Sequence, residues 1–346
     1  MRRYLLMSLV VLLVLSIGAL ACDSGTAALK NQTPQEMLKA ALEAGRDVTS
    51  QAGTYEVAVT LDADPSQMAG EEAALAQAFV SAPITLSGDF ASQTAPFAVD
   101  LSVSSSIMGM GLQAGVTMLD SGQYVNLLGQ WYEAPAELNQ QLADLDVASM
   151  SDTAWEAMDE LSIDPTSWFT DLTKAGEETL VETDVVHLTG AVDIRKMVTD
   201  AVALMQSEKM AELMTALSGS TGQSALGDLQ LPTQADLDEV LPMIEQMFAG
   251  TTVDLWLAKS DSTIRKMALN TNMVLPQEIG LTGLNGATIV ATINLDEPNQ
   301  PLSIKAPQSF KPFAQLEQDL QNNPILSGLL ESFQGIGTGP GSPFGF

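Results

Sequence analysis

The sequence predicts an α+β fold in which an antiparallel sheet with one apolar face is covered by amphipathic helices. Two periodicities predict it. Apolar residues alternate with short polar ones in several stretches, the pattern of half-buried strands. In other stretches they recur at spacings of three and four, the pattern of helices lying on a core. Strand-like stretches occur in both halves of the chain with helical ones between them. That order argues for one continuous body or for two similar halves packed together.

The first element is a helix opened by Thr33-Pro34-Gln35-Glu36, which combines a Thr N-cap, Pro at the first position and Glu three residues on. Met37, Leu38, Ala41 and Leu42 form its apolar stripe, and Gly45 and Gly53 bracket its end. From Thr54 the period becomes two, with Tyr55, Val57, Val59 and Leu61 on one face. Phe97, Val99, Leu101 and Val103 repeat this, as do Leu112, Ala114, Val116 and Met118. Turns at Asp120-Ser121-Gly122 and Leu128-Gly129-Gln130 lead into 124–128 and 131–133, completing an antiparallel meander. Helical patterns come next, at 136–146 (Leu138, Leu142, Leu145) and 151–161 (Trp155, Met158, Leu161), with a short helix beginning at Asp164-Pro165. Strand character returns at 176–192. The longest predicted helix spans 193–217, where Ile194, Met197, Val198, Ala201, Val202 and Met205 share one face. A loop is expected at 218–232, then a helix with Leu237, Leu241, Ile244 and Met247 that Pro242 should kink. Strands over 253–257, 267–275 and 289–295 close the domain, and a weak helix precedes a Gly-rich tail.

The chain has 346 residues, 46% hydrophobic and only 16% charged, which excludes a disordered acidic tail protein. Its net charge is −29, and loss of Arg2 and Arg3, with no acid before Asp23, takes it to −31. A chain so acidic cannot replace phosphate counterions, so nucleic acid is excluded as a partner. Anionic headgroups repel it too, so membrane attachment must come from something other than charge. The acidity is also open to reading as an adaptation to salt.

Arg2-Arg3 precede a run of 17 residues at 5–21 that carries no charge, after which Cys22-Asp23-Ser24 turns polar. A charged start, an apolar stretch and a small residue before the cut mark a secretory signal, and the run is at the short edge for a bilayer span. Gly18-Ala19-Leu20-Ala21-Cys22 resembles the bacterial lipobox. The resemblance implies that Cys22 becomes the acylated first residue, carrying chains such as palmitate. Residues 1–21 are then the signal peptide and 22–32 a flexible tether, placing the chain lipid-anchored on the extracytoplasmic face of the cell membrane. A lone Cys cannot form an internal disulfide, so packing must hold the fold.

Catalytic constellations are weak. His187 is the only histidine, which excludes multi-histidine metal sites, and no GxSxG phrase accompanies it, so it reads as a structural or surface residue. Glu71-Glu72, Asp159-Glu160 and Asp296-Glu297 are adjacent pairs whose side chains diverge, and Asp62-Ala63-Asp64 is too short for a calcium loop. No phosphate-binding Gly loop precedes a helix; Gly109-Met110-Gly111 and the glycines at 280–286 lie in or beside strands. No metal, cofactor or enzymatic activity is expected.

The Cys22 phrase, a first helix before Gly53-Thr54-Tyr55-Glu56-Val57, and Ser121-Gly122-Gln123-Tyr124 running on to Trp131-Tyr132-Glu133 occur in a distinctive order. Gly176-Glu177-Glu178-Thr179 then leads to Val186-His187-Leu188, and Val253-Asp254-Leu255-Trp256-Leu257 to Ile264-Arg265-Lys266-Met267. Over about 34–307 this order resembles the LppX/LprG-type bacterial lipoproteins. The resemblance implies a LolA-like fold, a curved antiparallel half-barrel wrapped over helices around an apolar cavity that takes the acyl chains of lipids or lipoglycans. It supplies no catalytic residue. The domain would span 33–311 with a helical insert at about 193–250, and 312–346 would be a flexible Gly-rich tail; insert, tail and high Met content depart from the family pattern. Seventeen Met against 5% aromatics suit a deformable apolar wall, and Met197, Met205, Met210, Met214, Met243 and Met247 fall on two helices facing the sheet. The expected lining is Val57, Val59, Leu101, Val103, Val116, Met118, Met197, Met205, Met214, Ile244, Met247, Leu255, Leu257, Met267, Leu269 and Ile293. The function expected is that of a monomeric lipid-binding or lipid-transfer lipoprotein. Its first rival is an envelope scaffold whose cavity has collapsed onto its own side chains, and its second a two-carboxylate hydrolase of envelope polymers.

Overall fold

The computed structural model describes residues 29–68, 70–107, 110–135, 147–211, 234–276 and 283–322. Its first half consists of α1 (Pro34–Ala44), β1 (Ser50–Ala63), α2 (Glu71–Ser81), β2 (Ile84–Thr94), β3 (Phe97–Ile107), β4 (Met110–Leu119), β5 (Gly122–Leu127) and β6 (Gln130–Glu133). Then come α3 (Val147–Glu160), β7 (Phe169–Leu180), β8 (Thr183–Val192), α4 (Ile194–Met205) and α5 (Gln234–Met247). The chain continues through β9 (Thr252–Ala258), β10 (Ile264–Val274), β11 (Leu284–Leu295), β12 (Lys311–Pro312) and α6 (Ala314–Asn322).

All the strands form one 12-stranded open sheet, in the order β12-β6-β5-β4-β3-β2-β1-β11-β10-β9-β8-β7. Neighbours are antiparallel except β12, which lies parallel to β6. The first meander and the last are joined where β1 pairs with β11, from Gly53 opposite Leu295 to Leu61 opposite Ala287. That seam makes one continuous body of what the sequence also allowed as two halves. The fold class is the expected one: α+β, antiparallel sheet, helices on one face.

The capping box at α1 is present. Thr33 Oγ1 accepts from the Glu36 amide at 3.3 Å, and Glu36 Oε2 accepts from the Thr33 amide at 2.7 Å. Met37, Leu38, Ala41 and Leu42 are buried, as their stripe requires. Asp193 caps α4 by accepting from the Lys196 amide at 2.9 Å. Arg195 of α4 makes a two-pronged contact with Glu245 of α5, clamping the two helices side by side. One core unites α1, α3, α4 and α5 with β7 to β11; Leu38, Val198, Leu241 and Ile244 meet Leu188, Leu255 and Leu257 there.

Several expectations are corrected. The single helix over 193–217 ends at Met205; Ser207 Oγ then accepts from the Met210 amide at 3.3 Å, so a serine restarts the chain as an N-cap. Residues 176–192 are a hairpin, β7 with β8, turning on Val181 and Glu182, both at positive φ. Leu161 lies beyond the end of α3 and is exposed, while Ile163 is buried. Pro242 sits inside α5, as expected, at an exposed position. The tether is docked at its end, since Leu29 is buried in the core. The tail is structured at its start: Lys311 pairs with Tyr132 in the sheet and binds Asp319 of α6 at 2.6 Å. The elements α2 and β2 have no counterpart among those the sequence predicts. The expected signal peptide, Cys22, the expected helix at 136–146, the expected loop at 218–232 and the Gly-rich end of the chain fall outside the described residues.

Candidate functional site

Strand register puts the inward side chains into rows that cross the sheet. One row runs Tyr132, Val125, Val116, Leu101, Phe90, Gly53 and Leu295, from edge strand to core. A second carries Leu127, Ala114 and Val103, and beyond Gly88 continues through Tyr55, Ile293, Met267, Leu255 and Leu188. A third holds Leu112, Ser105, Leu86, Val57, Ala291, Leu269 and Val253. Each row begins over β4 to β6 and ends under the helices, so a single apolar face is shared between two environments.

Two glycines make the passage possible. At Gly53 a Cβ would lie 2.1 Å from the Asn294 carbonyl oxygen and against the Phe90 ring, so Phe90 covers the seam only because Gly53 has no side chain. At Gly88 a Cβ would lie 1.8 Å from the Ser102 carbonyl oxygen. The Tyr55 hydroxyl crosses this point and donates to that same oxygen at 2.8 Å, while Ser102 Oγ accepts from the Asp89 amide at 2.9 Å.

Beyond the seam the rows are half-exposed. Val57, Val59, Val103, Val116 and Met118 are of intermediate burial, and Leu86 and Leu101 are 38% and 37% exposed. The inward positions at 53–61, 84–92, 99–105, 112–118 and 123–127 carry one ionisable side chain, Tyr55. Burial, and then the Asp89 carboxylate, push the Tyr55 phenol up from its ordinary value, so it stays neutral. The surface therefore offers dispersion contact and desolvation, with no charge to bind or to repel.

The expected lining residues fall into two groups. Val57, Val59, Leu101, Val103, Val116 and Met118 lie on the half-exposed face. Met197, Ile244, Met247, Leu255, Leu257 and Met267 belong to the packed core, Leu269 is buried too, and Met205 and Ile293 pack against that core half-buried. These residues are covered because α4 and α5 lay their stripes directly on β8 to β10. Met214 lies outside the described residues. Sequence reasoning missed Ile84, Leu86 and Phe90 of β2, whose alternation is interrupted by Gly88, and Val125 and Leu127 of β5.

The opposite face of the sheet is largely polar, with Tyr124 of β5 buried there against Phe310. His187 stacks on Trp256 with ring centroids 4.4 Å apart and its Nε2 lies 2.9 Å from Asp254 Oδ1. Lys266 Nζ lies 4.5 Å from the centre of the Trp256 ring, and Trp256 donates to Glu178. These contacts tie β7 to β10 together, a structural place for His187. Among the described residues no group of three His, Cys, Asp or Glu could hold a metal ion. No described helix is long and apolar enough to cross a membrane.

No protein-family model matches the chain, and no curated protein matches its sequence. Solved structures do. The lipoprotein LppX of Mycobacterium tuberculosis is 13% identical, with a TM-score of 0.33, over 79% of this chain and 98% of that one. LprF of Mycobacterium bovis is 11% identical, with a TM-score of 0.33, over 80% of this chain and 97% of that one. A putative outer membrane lipoprotein-sorting protein domain from Vibrio parahaemolyticus is 10% identical, with a TM-score of 0.18, over 78% and 92%.

Proposed function

We propose that this chain is an exported, membrane-anchored carrier that shields the acyl chains of a lipid or lipoglycan on the inner face of β1 to β5. One observation carries the reading: apolar rows leave the packed core and continue, half-exposed and uncharged, across five further strands. Each methylene moved from water onto such a face contributes about 0.8 kcal/mol, so one long chain is enough for firm binding and two for tight binding. The work is desolvation, and no bond-making step is assigned to any residue. Acylated Cys22 would hold the protein on the extracytoplasmic side of the cell membrane, as a monomer, close to the bilayer that supplies its guest.

The packed side favours a second reading. Met197 and Met247 meet Leu255 and Met267 in one core, as the collapsed-cavity scaffold requires. The two readings part on a single measurement. Full-length protein purified from a bacterial host, extracted with organic solvent and analysed by lipid mass spectrometry should yield lipid near one mole per mole. A lipid-free extract would leave the scaffold.

A further inference from the structure

We propose that Tyr55 sets the class of guest: the inner face takes an uncharged lipid bearing a free hydroxyl, which donates its proton to the Tyr55 phenolic oxygen. This rests on the carrier reading above and names its substrate class.

The sheet is opened at one point to make this site. Strands β2 and β3 pair from Thr85 opposite Ser106 to Ser87 opposite Ser104, and again from Phe90 opposite Leu101 to Thr94 opposite Phe97, with no paired residues at Gly88 and Asp89. The register is the same on both sides of the gap, so no residue is inserted and the ladder is only parted. In an unbroken ladder the Asp89 amide would donate to the Ser102 carbonyl opposite it. Here it donates to Ser102 Oγ, at 2.9 Å. The released carbonyl oxygen lies 1.8 Å from where a Cβ on Gly88 would stand. Gly88 pairs with Tyr55, so that Cβ would point to the inner side, and a backbone acceptor is thereby turned onto the apolar face. Left alone there it would be costly. The Tyr55 hydroxyl meets it, donating at 2.8 Å.

This fixes what the phenol can still do. A phenol has a single proton, and giving it to a guest would orphan the Ser102 carbonyl, so what remains is an acceptor. The guest is therefore selected by a donor: a free hydroxyl fits, and an ester or ether oxygen does not. Ser92 and Ser105, also on the inner side, have rotatable hydroxyls that accept or donate equally well, so they add no such preference. Tyr55 is half-buried and stands in its row between Val103 and Ile293. A guest hydroxyl held there leaves the acyl chains to run over Val103, Ala114 and Leu127.

Charge narrows the class further. Between Arg46 and Lys174 the sequence has no Lys, Arg or His, so β1 to β6 offer an anionic headgroup no cation. Lys311, beside β6, is already held by Asp319 at 2.6 Å. The field of the Asp89 carboxylate reaches the phenol and repels an anion there.

The test uses full-length, delipidated protein and displacement of Nile red by dioctanoylglycerol, by its methyl ether and by dioctanoylphosphatidic acid. Wild type should bind the alcohol roughly three- to tenfold more tightly than the ether, which has the same chains and no donor. It should bind the alcohol roughly tenfold or more above the phosphatidic acid. Equal affinity for alcohol and ether, or for alcohol and phosphatidic acid, would overturn the assigned class and leave the carrier reading standing. No binding of Nile red, or no displacement by any of these lipids, would remove both. Tyr55→Phe should lose the preference for the alcohol while its affinities for Nile red and the ether stay those of wild type. A preference that survives in Tyr55→Phe would take the selection away from the phenol. A fall in Nile red and ether affinity as large as the fall for the alcohol would show that the phenol only holds the shape of the face, and would equally overturn the proposal.

Discussion

On the two sides of the β1–β11 seam the sheet presents the same kind of side chain in different states. Leu188, Leu255 and Leu257, on the β8–β9 side, are at most 2% exposed, whereas Leu86 and Leu101, on the β2–β3 side, are 38% and 37% exposed. Hydrophobicity does not separate them, since Leu stands at all five places. Helix supply does. The helices α3, α4 and α5 arise between β6 and β9, and α1 joins them through contact with β7. All four are spent on one side; beyond the seam the described helices are α2, which touches β1, and α6, which touches β12, and the apolar inner positions of β2 to β5 stay half-exposed. A sheet of this kind becomes core or binding surface according to where its connections run.

Substitutions can break or sharpen this contrast, beginning with the largest effect. Leu257→Ala should cost about 2–5 kcal/mol by urea denaturation, because a fully buried site leaves a cavity. Leu101→Ala should cost less than about 1 kcal/mol, its side chain being partly in water already. Equal costs would mean that the two sides are packed alike. Val116→Asp should lower lipid recovery roughly tenfold or more while the protein stays folded by circular dichroism, because a carboxylate on the face must be desolvated by any acyl chain. The corresponding change at a core strand, Leu255→Asp, should prevent folding. Thr33→Ala should remove the α1 capping box at a cost of about 1 kcal/mol, read as a lower urea midpoint. That loss falls on the packed side and should leave lipid recovery unchanged.

The smallest effect concerns pH. Hydrogen bonds from Lys174 and then Lys259 depress Glu177 from an ordinary 4.5 to about 2. A depressed carboxyl contributes stability that is present above its unfolded value and is lost as pH falls toward the folded one. The gap between wild type and Glu177→Gln in urea midpoint should therefore be constant above about pH 5 and shrink between 4.5 and about 2. Added salt should shrink it too, since the site lies on the exposed edge strand β7. A gap that widened in acid would reverse the assignment.

Much of the fold was legible in the sequence because local chemistry announced it. Thr33-Pro34-Gln35-Glu36 states its own hydrogen bonds, and the alternation around Val57, Val103 and Val116 states which residues share a face. The hairpin of β7 and β8 was not legible, since Val181-Glu182 lacks the Gly or Asn that usually marks a turn at positive φ. Strand β2 was obscured by Gly88 in the midst of its alternation, and Gly88 is there for a contact with Ser102 that no local pattern encodes. For the candidate site, the β1, β3 and β4 positions were legible by alternation. Its boundary was not: Met267 and Val116 look alike in sequence, and one is core while the other is half-exposed.

The sequence by itself determined the fold class, the apolar and polar faces of the strands, the caps of the helices and the absence of charge on the inward positions, because each depends on residues a few places apart. Only the tertiary structure decided which part of the apolar face is covered. That depends on strand order, on the β1–β11 seam between residues more than 200 positions apart, and on four helices gathering on one side of it. Burial is a property of what lies across the gap, and nothing in a strand's own sequence specifies its neighbour.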